Sequence, residues 1–256
     1  MFTAHTIDLS SGPVHYQKGG SGPPLLHLHP SAGPRVSPVI ERLAVRHTVY
    51  MPVAPGFNAT PQHPSVNSIS ALADLMTEFA KTVIGAPFDL MAESFGGWVA
   101  LWVAVRNPEL VEHLVLEGPA GLRDEGTGGV PADLEGRMRA LYSNPAHAPP
   151  ETRSPQVLAD TQRVRDGYVG DLSYDKALHD ALPGIKGRTL IVLGTRDTVV
   201  PVITAHRLKA GIANAHLSFI YGAAHALEFD APARVAPLVA GFLERGEAFV
   251  VRSPAA

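Results

Sequence analysis

An α/β fold with a mostly parallel sheet is the fold class that three features of the sequence predict. Short apolar runs of strand type alternate with glycine, proline and polar residues along the chain. Longer segments between them carry apolar residues at every third or fourth position, which is typical of helices that bury one face. The chain has 256 residues, 45% of them hydrophobic, which is enough for a full core. Because strands that alternate with helices form parallel sheets covered on both faces, these features predict the fold class.

Eight strands are predicted from the apolar runs, and most of them are followed by a helix. The strands are predicted at 3–9, 13–18, 25–29, 47–53, 88–92, 111–117, 188–193 and 216–221. The helices are predicted at 36–45, 68–84, 95–107, 201–211 and 231–245. We therefore expect an eight-stranded sheet flanked by helices within a single domain spanning residues 1–256, with a loose tail at 252–256.

The regular alternation stops between residues 120 and 184. This segment shows no strand signal, but it contains many glycine, proline and charged residues. Three amphipathic stretches lie within it, at 132–142, 155–168 and 174–182. Because the segment is too long for a plain loop, we interpret 120–184 as a small helical cap inserted between strands six and seven. The alternative is a packing insertion that lies away from the functional site.

Composition excludes several classes of function. The chain has no cysteine, so it can form no disulfide, no zinc–thiolate site and no thiol nucleophile. The net charge is −3 with both signs mixed along the chain, so we expect no nucleic-acid partner. No apolar stretch reaches transmembrane length and the N-terminus lacks a signal-peptide pattern, so we expect a cytoplasmic protein with no membrane partner. The histidines show no metal-ligand spacing, and we expect no metal.

Ser94 is the strongest functional signal in the sequence. It follows the apolar run 88–92 and precedes a segment with helical spacing, so it lies on a sharp turn from a strand to a helix. Such a turn is strained and needs small neighbours, which Ala92, Gly96 and Gly97 supply. A serine on this turn is exposed at the carboxyl edge of the sheet, beside a helix N-terminus that favours negative charge. The alternative is a serine that only caps the helix.

Two downstream residues fit the roles that a nucleophilic serine requires. A serine hydroxyl needs a base to remove its proton, and the base needs an acid to orient it. Asp197 lies in the loop after the strand 188–193, and His225 lies just after the strand 216–221. All three residues therefore follow the carboxyl ends of strands, where open parallel sheets place their ligands.

The chain resembles the α/β-hydrolase superfamily, in its small, cap-bearing, esterase-like branch, over nearly its whole length. Five segments carry the resemblance in the family's order, namely 25–33, 51–60, 92–97, 194–197 and 222–225. They resemble in turn the oxyanion loop, the strand-four segment, the nucleophile elbow, the acid motif and the histidine motif. Three positions depart from the family's pattern without removing a catalytic group, namely Pro30, Val53 and Ala92.

The resemblance implies a role for each residue of a catalytic triad. Ser94 would be the nucleophile, His225 the general base and later the general acid, and Asp197 the acid that orients the imidazole. Glu117 is a rival for the acid, because it ends strand six, where some members of the superfamily carry that residue. We favour Asp197, which sits in a loop of the usual form, and expect Glu117 to line the pocket, support the site or face water.

Two backbone donors are expected to form an oxyanion hole. One is the N–H of Phe95, the residue after the nucleophile. The second should come from the loop after strand three, where Ser31 aligns best and Ala32 second, since Pro30 has no N–H. The alternative for the Ser31 side chain is that it caps the helix expected to begin near Val36.

Four residues are candidates for the substrate pocket, namely His29, Ala32, Leu141 and Tyr142. We expect His29 to brace its loop by hydrogen bonds and not to act as a base. Leu141 and Tyr142 lie on the apolar face of the first cap stretch. That face must be buried, and the open sheet edge above Ser94 is the nearest surface, so we expect the cap to shape an apolar acyl pocket there.

These residues favour a serine hydrolase that cleaves an ester, lactone or thioester of a small, partly apolar molecule without a cofactor. A C–C bond hydrolase or a cofactor-free perhydrolase with the same triad is an alternative, and so is a non-enzymatic ligand sensor. C–C hydrolases commonly carry tryptophan after the histidine, where this chain has Ala226. Dehalogenases and epoxide hydrolases are disfavoured because they use an aspartate at the position of Ser94. The sequence leaves both a monomer and a homodimer open.

Overall fold

An eight-stranded sheet forms the centre of the protein in the computed structural model, which describes residues 1–245. The tail expected at 252–256 lies outside the described residues. The strands are β1 (Thr3–Leu9), β2 (Gly12–Gly20), β3 (Pro24–Leu28), β4 (Thr48–Pro52), β5 (Phe88–Glu93), β6 (Val111–Glu117), β7 (Arg188–Gly194) and β8 (Ala215–Ile220). Each of them matches a predicted strand, so the strand predictions are confirmed.

The order of the strands determines where a ligand can bind. The spatial order is β1-β2-β4-β3-β5-β6-β7-β8, and every pair from β4 to β8 is parallel, whereas β1 and β2 pair antiparallel. The mostly parallel sheet is thus confirmed. The chain runs from β3 outward to β4 and then returns to place β5 on the other side of β3, so the order reverses between β3 and β5. Ligands bind outside the carboxyl ends of the strands at such a reversal.

Helices cover both faces of the sheet. They are α1 (Pro38–Leu43), α2 (Ile69–Phe79), α3 (Phe95–Arg106), α4 (Leu134–Leu141), α5 (Pro155–Val169), α6 (Lys176–Ala181), α7 (Val202–Gly211), α8 (Leu227–Asp230) and α9 (Pro232–Arg245). Apolar residues of α2, α3 and α7 belong to the core on one face, and those of α1 and α9 belong to the core on the other. The sequence did not predict α8, which at four residues is too short to show a period.

Strand β5 shows why the segment before Ser94 is mostly apolar, with only Asp89 and Glu93 charged. Leu90 and Ala92 point into the core of α2 and α3, whereas Met91 points into the core of α1 and α9. Every residue of β5 is buried because neighbouring strands and both helical layers enclose it. A central parallel strand of this kind reads as a continuous apolar run.

Helices α4, α5 and α6 lie between β6 and β7, within the segment 120–184. Asp175, the N-cap of α6, joins this segment to α3, because its carboxylate accepts hydrogen bonds from the indole N–H groups of Trp98 (3.0 Å) and Trp102 (2.9 Å). Both tryptophans therefore have packing and hydrogen-bonding roles. Within residues 1–245, none of the helices combines the length and apolarity that crossing a bilayer requires.

Candidate active site

Ser94 occupies a strained turn between β5 and α3. Its φ is +53° and its ψ is −113°, a conformation that residues with a side chain rarely adopt. The surrounding chain holds this conformation, since the Ser94 N–H donates to the Glu117 carbonyl and the Ser94 carbonyl accepts from the Ala120 N–H, both at 2.9 Å. The sharp turn that the sequence predicted is confirmed.

Two glycines make room for this turn. A Cβ atom added to Gly96 would lie 2.3 Å from the carbonyl oxygen of Leu28 and 2.6 Å from that of His29. A Cβ atom added to Gly97 would lie 2.7 Å from the Cβ of Pro119. Helix α3 can therefore approach β3 and the loop after β6 only because these positions have no side chain. This close approach is the physical reason for the small residues around Ser94.

Ser94, His225 and Asp197 form one hydrogen-bonded chain. The Nδ1 of His225 lies 2.8 Å from Asp197 Oδ2, and its Nε2 lies 2.9 Å from Ser94 Oγ. A carboxylate can only accept, so Nδ1 carries the proton, and in the neutral ring Nε2 accepts from the Ser94 hydroxyl. The three side chains are buried, with the Asp197 side chain fully enclosed. The structure thus brings together the three residues that the sequence singled out.

Asp197 is oriented on its other side by the backbone. Its Oδ1 accepts the N–H groups of Val199 (2.8 Å) and Val200 (2.9 Å), which fixes the carboxylate plane. Gly118, at the end of β6, leaves the space that the pair occupies, because a Cβ there would lie 3.1 Å from Asp197 Oδ2 and from His225 Nδ1. Gly118 also has a φ of +47°, which a glycine adopts without strain.

The loop after β3 lies at the reversal of strand order, beside Ser94. Pro30 to Gly33 form a turn closed by the Gly33 N–H and the Pro30 carbonyl at 2.9 Å. Among the described residues, the N–H groups of Ser31 and Ala32 have no acceptor. Phe95 opens α3, so its N–H has no acceptor within the helix either. The proposed oxyanion donors are therefore free of competing bonds, and the choice between Ser31 and Ala32 stays a prediction.

The alternative role for Ser31, as a helix cap, is wrong. Helix α1 begins at Pro38, two residues later than predicted, and its N-cap is Ser37. The Ser37 hydroxyl accepts the Ile40 N–H at 3.1 Å, as capping serines do. A proline at the first helical position and a serine before it define this start better than the apolar spacing, which predicted a helix from residue 36.

His29 braces the oxyanion loop. Its Nε2 accepts the Ala54 N–H at 3.0 Å, so Nδ1 carries the proton and donates to the Pro30 carbonyl at 2.8 Å. Burial lowers the pKa of His29 to about 4, which keeps the ring neutral and this pattern intact at neutral pH. Both nitrogens are thus used in joining the loop to the segment after β4. A direct contact of His29 with substrate stays a prediction.

Three buried glutamates, Glu93, Glu117 and Glu228, lie close together on the α1 and α9 side of the sheet, next to Ser94. Glu93 precedes Ser94 and stands in register with Glu117 on the neighbouring strand. Burial first, and then the charge of Glu228, raise the pKa values of Glu93 and Glu117 well above the usual range. Neither carboxyl oxygen of Glu117 has a hydrogen-bond partner among residues 1–245, whereas Glu228 accepts from His27 Nε2 at 2.6 Å. Glu117 forms no hydrogen bond with His225, so the structure favours Asp197 as the acid that orients His225.

Leu141, the last residue of helix α4, and Tyr142, which follows it, lie near the loop that carries His225. The Leu141 carbonyl accepts the N–H of Ala226, the residue after His225, at 2.9 Å. Tyr142 is half-buried, and burial together with the charge of Glu93 raises the pKa of its phenol to about 12. The segment 120–184 therefore touches the loop that carries His225, and the lining of a substrate pocket by these side chains stays a prediction.

One group of possible metal ligands lies at the opposite end of β5, and the sequence spacing did not reveal it. Ligand atoms of Asp89, Glu112 and His113 lie within 4.8 Å of one another. A bulge in β6 produces this arrangement, because Phe88 pairs with Val111 while Leu90 pairs with Leu114. Two residues of β6 therefore oppose one of β5. Asp89 accepts a 2.7 Å hydrogen bond from His113, which accounts for its burial without a metal.

The chain belongs to the α/β-hydrolase family of enzymes, whose model matches residues 20–238. Over an alignment of 270 positions, gaps included, it is 27% identical to the 2-hydroxymuconate semialdehyde hydrolase of Pseudomonas sp. (strain CF600), and the match covers 91% of this chain and 90% of that relative. The resemblance to the superfamily inferred from the five sequence segments is therefore confirmed.

Two solved structures share the fold. The meta-cleavage product hydrolase CumD from Pseudomonas fluorescens IP01 matches with a TM-score of 0.79 at 21% identity, over 94% of this chain and 97% of that one. Naproxen esterase (carboxylesterase NP) from Bacillus subtilis matches with a TM-score of 0.75 at 18% identity, over 95% and 92%. At these identities the similarity concerns the fold, and it confirms the predicted α/β-hydrolase fold class.

Proposed function

We propose that this protein is a serine hydrolase that cleaves an ester, lactone or thioester of a small, partly apolar molecule. The observation that carries the proposal is the hydrogen-bonded chain from Ser94 through His225 to Asp197 beneath a strained turn. Ser94 Oγ attacks the carbonyl carbon while His225 Nε2 takes its proton. Asp197 holds the Nδ1 proton and stabilises the imidazolium that forms.

The remaining steps follow from the same geometry. The tetrahedral oxyanion is bound by the N–H groups of Phe95 and of Ser31 or Ala32, which have no competing acceptor among residues 1–245. His225 then protonates the leaving alcohol or thiol, and an acyl group remains on Ser94. A water molecule, deprotonated by His225, hydrolyses this acyl-enzyme and restores the free serine.

A C–C bond hydrolase is the second candidate, and similarity to the 2-hydroxymuconate semialdehyde hydrolase favours it. The charges near the site favour an ester. A muconate-type substrate carries a carboxylate that needs a cation, but Arg35 and Arg153 are both paired with Glu151. The nearby acids Glu93 and Glu117, whose pKa values burial raises, supply no positive charge for such a carboxylate either.

Covalent labelling tests the nucleophile. We expect a fluorophosphonate probe to label the wild-type protein once, because only an activated serine reacts, and the Ser94→Ala variant should remain unlabelled. Ser154→Ala, which removes an exposed serine from the start of α5, is the matched control and should label fully. Labelling that persists in Ser94→Ala would contradict the assignment of the nucleophile.

A substrate panel separates the candidate reactions. It comprises p-nitrophenyl esters of graded acyl length, lactones and a vinylogous 1,5-diketone that bears a carboxylate. Turnover of esters or lactones that is lost in Ser94→Ala supports the proposed function. Turnover of the diketone alone would replace it with C–C hydrolysis, and binding without turnover of any compound would indicate a ligand sensor.

A further inference from the structure

The histidine loop, residues 222–230, is held on both sides of His225 by hydrogen bonds. After the histidine, the Ala226 N–H donates to the carbonyl of Leu141 at 2.9 Å. Before it, the Ala224 N–H donates to Oδ2 of Asp230 at 2.7 Å. Leu141 belongs to the cap segment, so the position of this segment bears directly on the loop that carries His225.

Asp230 extends this connection further into the cap segment. Its other oxygen, Oδ1, accepts the Ser143 N–H (2.9 Å), the Ser143 hydroxyl (2.8 Å) and the Nδ1–H of His147 (2.7 Å). The Asp230 side chain is fully buried. Burial alone would raise its pKa, but the hydrogen bonds from Ala224, His147 and Ser143 lower it below the usual value. One buried carboxylate thus joins the histidine loop to cap residues more than 80 positions earlier in the chain.

The loop after β3, residues 30–35, contains the proposed oxyanion donors and is called the oxyanion loop. It is held by the next part of the segment 120–184. Arg153 donates to the Ala32 carbonyl and to Asn58 Oδ1 (3.1 Å). Arg35 donates to the Pro150 carbonyl (2.8 Å) and to Glu151 (2.6 Å). Glu151 also pairs with Arg153, so these three charged side chains form one network.

We propose that residues 141–153 form a strap that positions both His225 and the oxyanion loop, with Asp230 of the histidine loop and Arg153 of the strap as the two positioning residues. The proposal rests on the function proposed above, since it concerns the alignment of the same site. Residues 141–147 hold the histidine loop, and residues 150–153 hold the oxyanion loop. Displacing the strap would therefore loosen both His225 and the second oxyanion donor. Full activity thus requires residues 141–153 to stay in contact with both loops.

The Asp230→Asn variant tests the histidine side of the strap. Asparagine keeps the shape but replaces one oxygen with an NH2 group, so it can accept at the loop or at the strap, not at both. We expect kcat to fall about 10- to 100-fold with little change in KM, because a small displacement of a catalytic group has a cost of that size. The matched control is Asp160→Asn, which removes an exposed cap carboxylate paired with Arg163 and should retain wild-type kcat.

Two further variants keep the test valid if Asp230→Asn fails to fold. The double variant Ser143→Ala/His147→Ala removes the two side-chain donors on the strap and leaves the buried aspartate with the N–H groups of Ala224 and of residue 143. Arg153→Gln removes the bond to Ala32, and Arg163→Gln is its control on the cap surface. Both test variants should lower kcat by about tenfold. Folded variants that keep kcat within twofold of wild type would overturn the proposal.

A spectroscopic measurement separates failure of the strap from failure of the proposed function. The Nδ1 proton of His225, bonded to Asp197, gives a low-field proton resonance that needs no substrate. We expect this resonance to shift or broaden in Asp230→Asn and in the double variant, but not in Asp160→Asn. An unchanged resonance in both would overturn the strap, whereas an inactive wild-type protein with the expected shifts would contradict only the proposed hydrolysis.

Discussion

Asp197 and Glu117 are two fully buried carboxyl groups at the same edge of the sheet, and they differ in their partners. The side chain of each is completely enclosed. Asp197 accepts three hydrogen bonds, from His225 and from the N–H groups of Val199 and Val200. Glu117 accepts none from residues 1–245, and the adjacent charges of Glu228 and Glu93 are of the same sign.

The comparison shows that donors, rather than burial, decide what a buried carboxyl group can do. Hydrogen bonds to the charged form stabilise it, whereas burial and like charges favour the protonated form. Asp197 can therefore serve as the partner of an imidazolium. Glu117, whose pKa burial raises, is suited to hold a proton and adds little negative charge near Ser94. Asp197 and Glu117, which the sequence offered as alternative triad acids, thus lie in different electrostatic environments.

The largest expected effect on activity comes from replacing Asp197, the carboxylate that is hydrogen-bonded to His225. Asp197→Asn should lower kcat by up to ~10⁴-fold, because the amide favours the wrong imidazole tautomer while preserving the fold. Glu117→Gln replaces an unpaired acid with a neutral amide of the same shape, so kcat should stay close to wild type. The measurement is kcat for a p-nitrophenyl ester with both variants shown to be folded. A larger loss in Glu117→Gln would reverse the two assignments.

A second effect is expected in how the free energy of unfolding depends on pH. Because the pKa of Glu117 is raised in the folded state, the unfolded chain loses this proton first as the pH rises above the ordinary value of 4.5. The folded state then binds more protons, so the free energy of unfolding falls with rising pH until the folded pKa is reached. The slope is about 1.4 kcal/mol per pH unit for each retained proton.

Glu117→Gln should remove the contribution of Glu117 to that slope, while that of Glu93 remains, and be more stable than the wild type at pH 8, with a smaller difference near pH 4. Urea unfolding at several pH values measures this directly. Glu109→Gln, at an exposed glutamate just before β6, is the matched control and should follow the wild type. A wild-type protein and a Glu117→Gln variant with parallel profiles would show that Glu117 is charged in the folded state.

The smallest expected effect is on substrate selectivity, and it comes from changing the side chains of Leu141 and Tyr142. Leu141→Ala and Tyr142→Phe should change the relative kcat/KM among acyl chain lengths by about three- to tenfold, because pocket contacts discriminate single methylenes weakly. Labelling of Ser94 should persist, since both changes spare the backbone carbonyl of Leu141. Equal scaling of all substrates, or no effect in either variant, would mean that these side chains do not line the acyl pocket.

The fold could be predicted from the sequence because its signals are local. Buried strands such as β5 read as mostly apolar runs, which predict all eight strands, and α2 shows a 3.6-residue period. The start of α1 was misplaced, because apolar residues precede the Ser37 cap without joining the helix. The bulge at Glu112 and His113 was missed, since an extra residue in one strand is visible only once its partner strand is known.

The sequence by itself determined the architecture, singled out Ser94 and His225 of the proposed triad, and left two candidates for its acid. Ser94, Asp197 and His225 each follow a recognisable strand, and a parallel sheet brings strand ends together whatever the side chains are. Only the tertiary structure showed that His225 bonds Asp197 and not Glu117, joined His27 to Glu228, and placed Asp230 between the segment 120–184 and the histidine loop. These contacts link residues that are far apart in the chain, and hydrogen bonds depend on distances of a few tenths of an ångström. Residue spacing carries no such information.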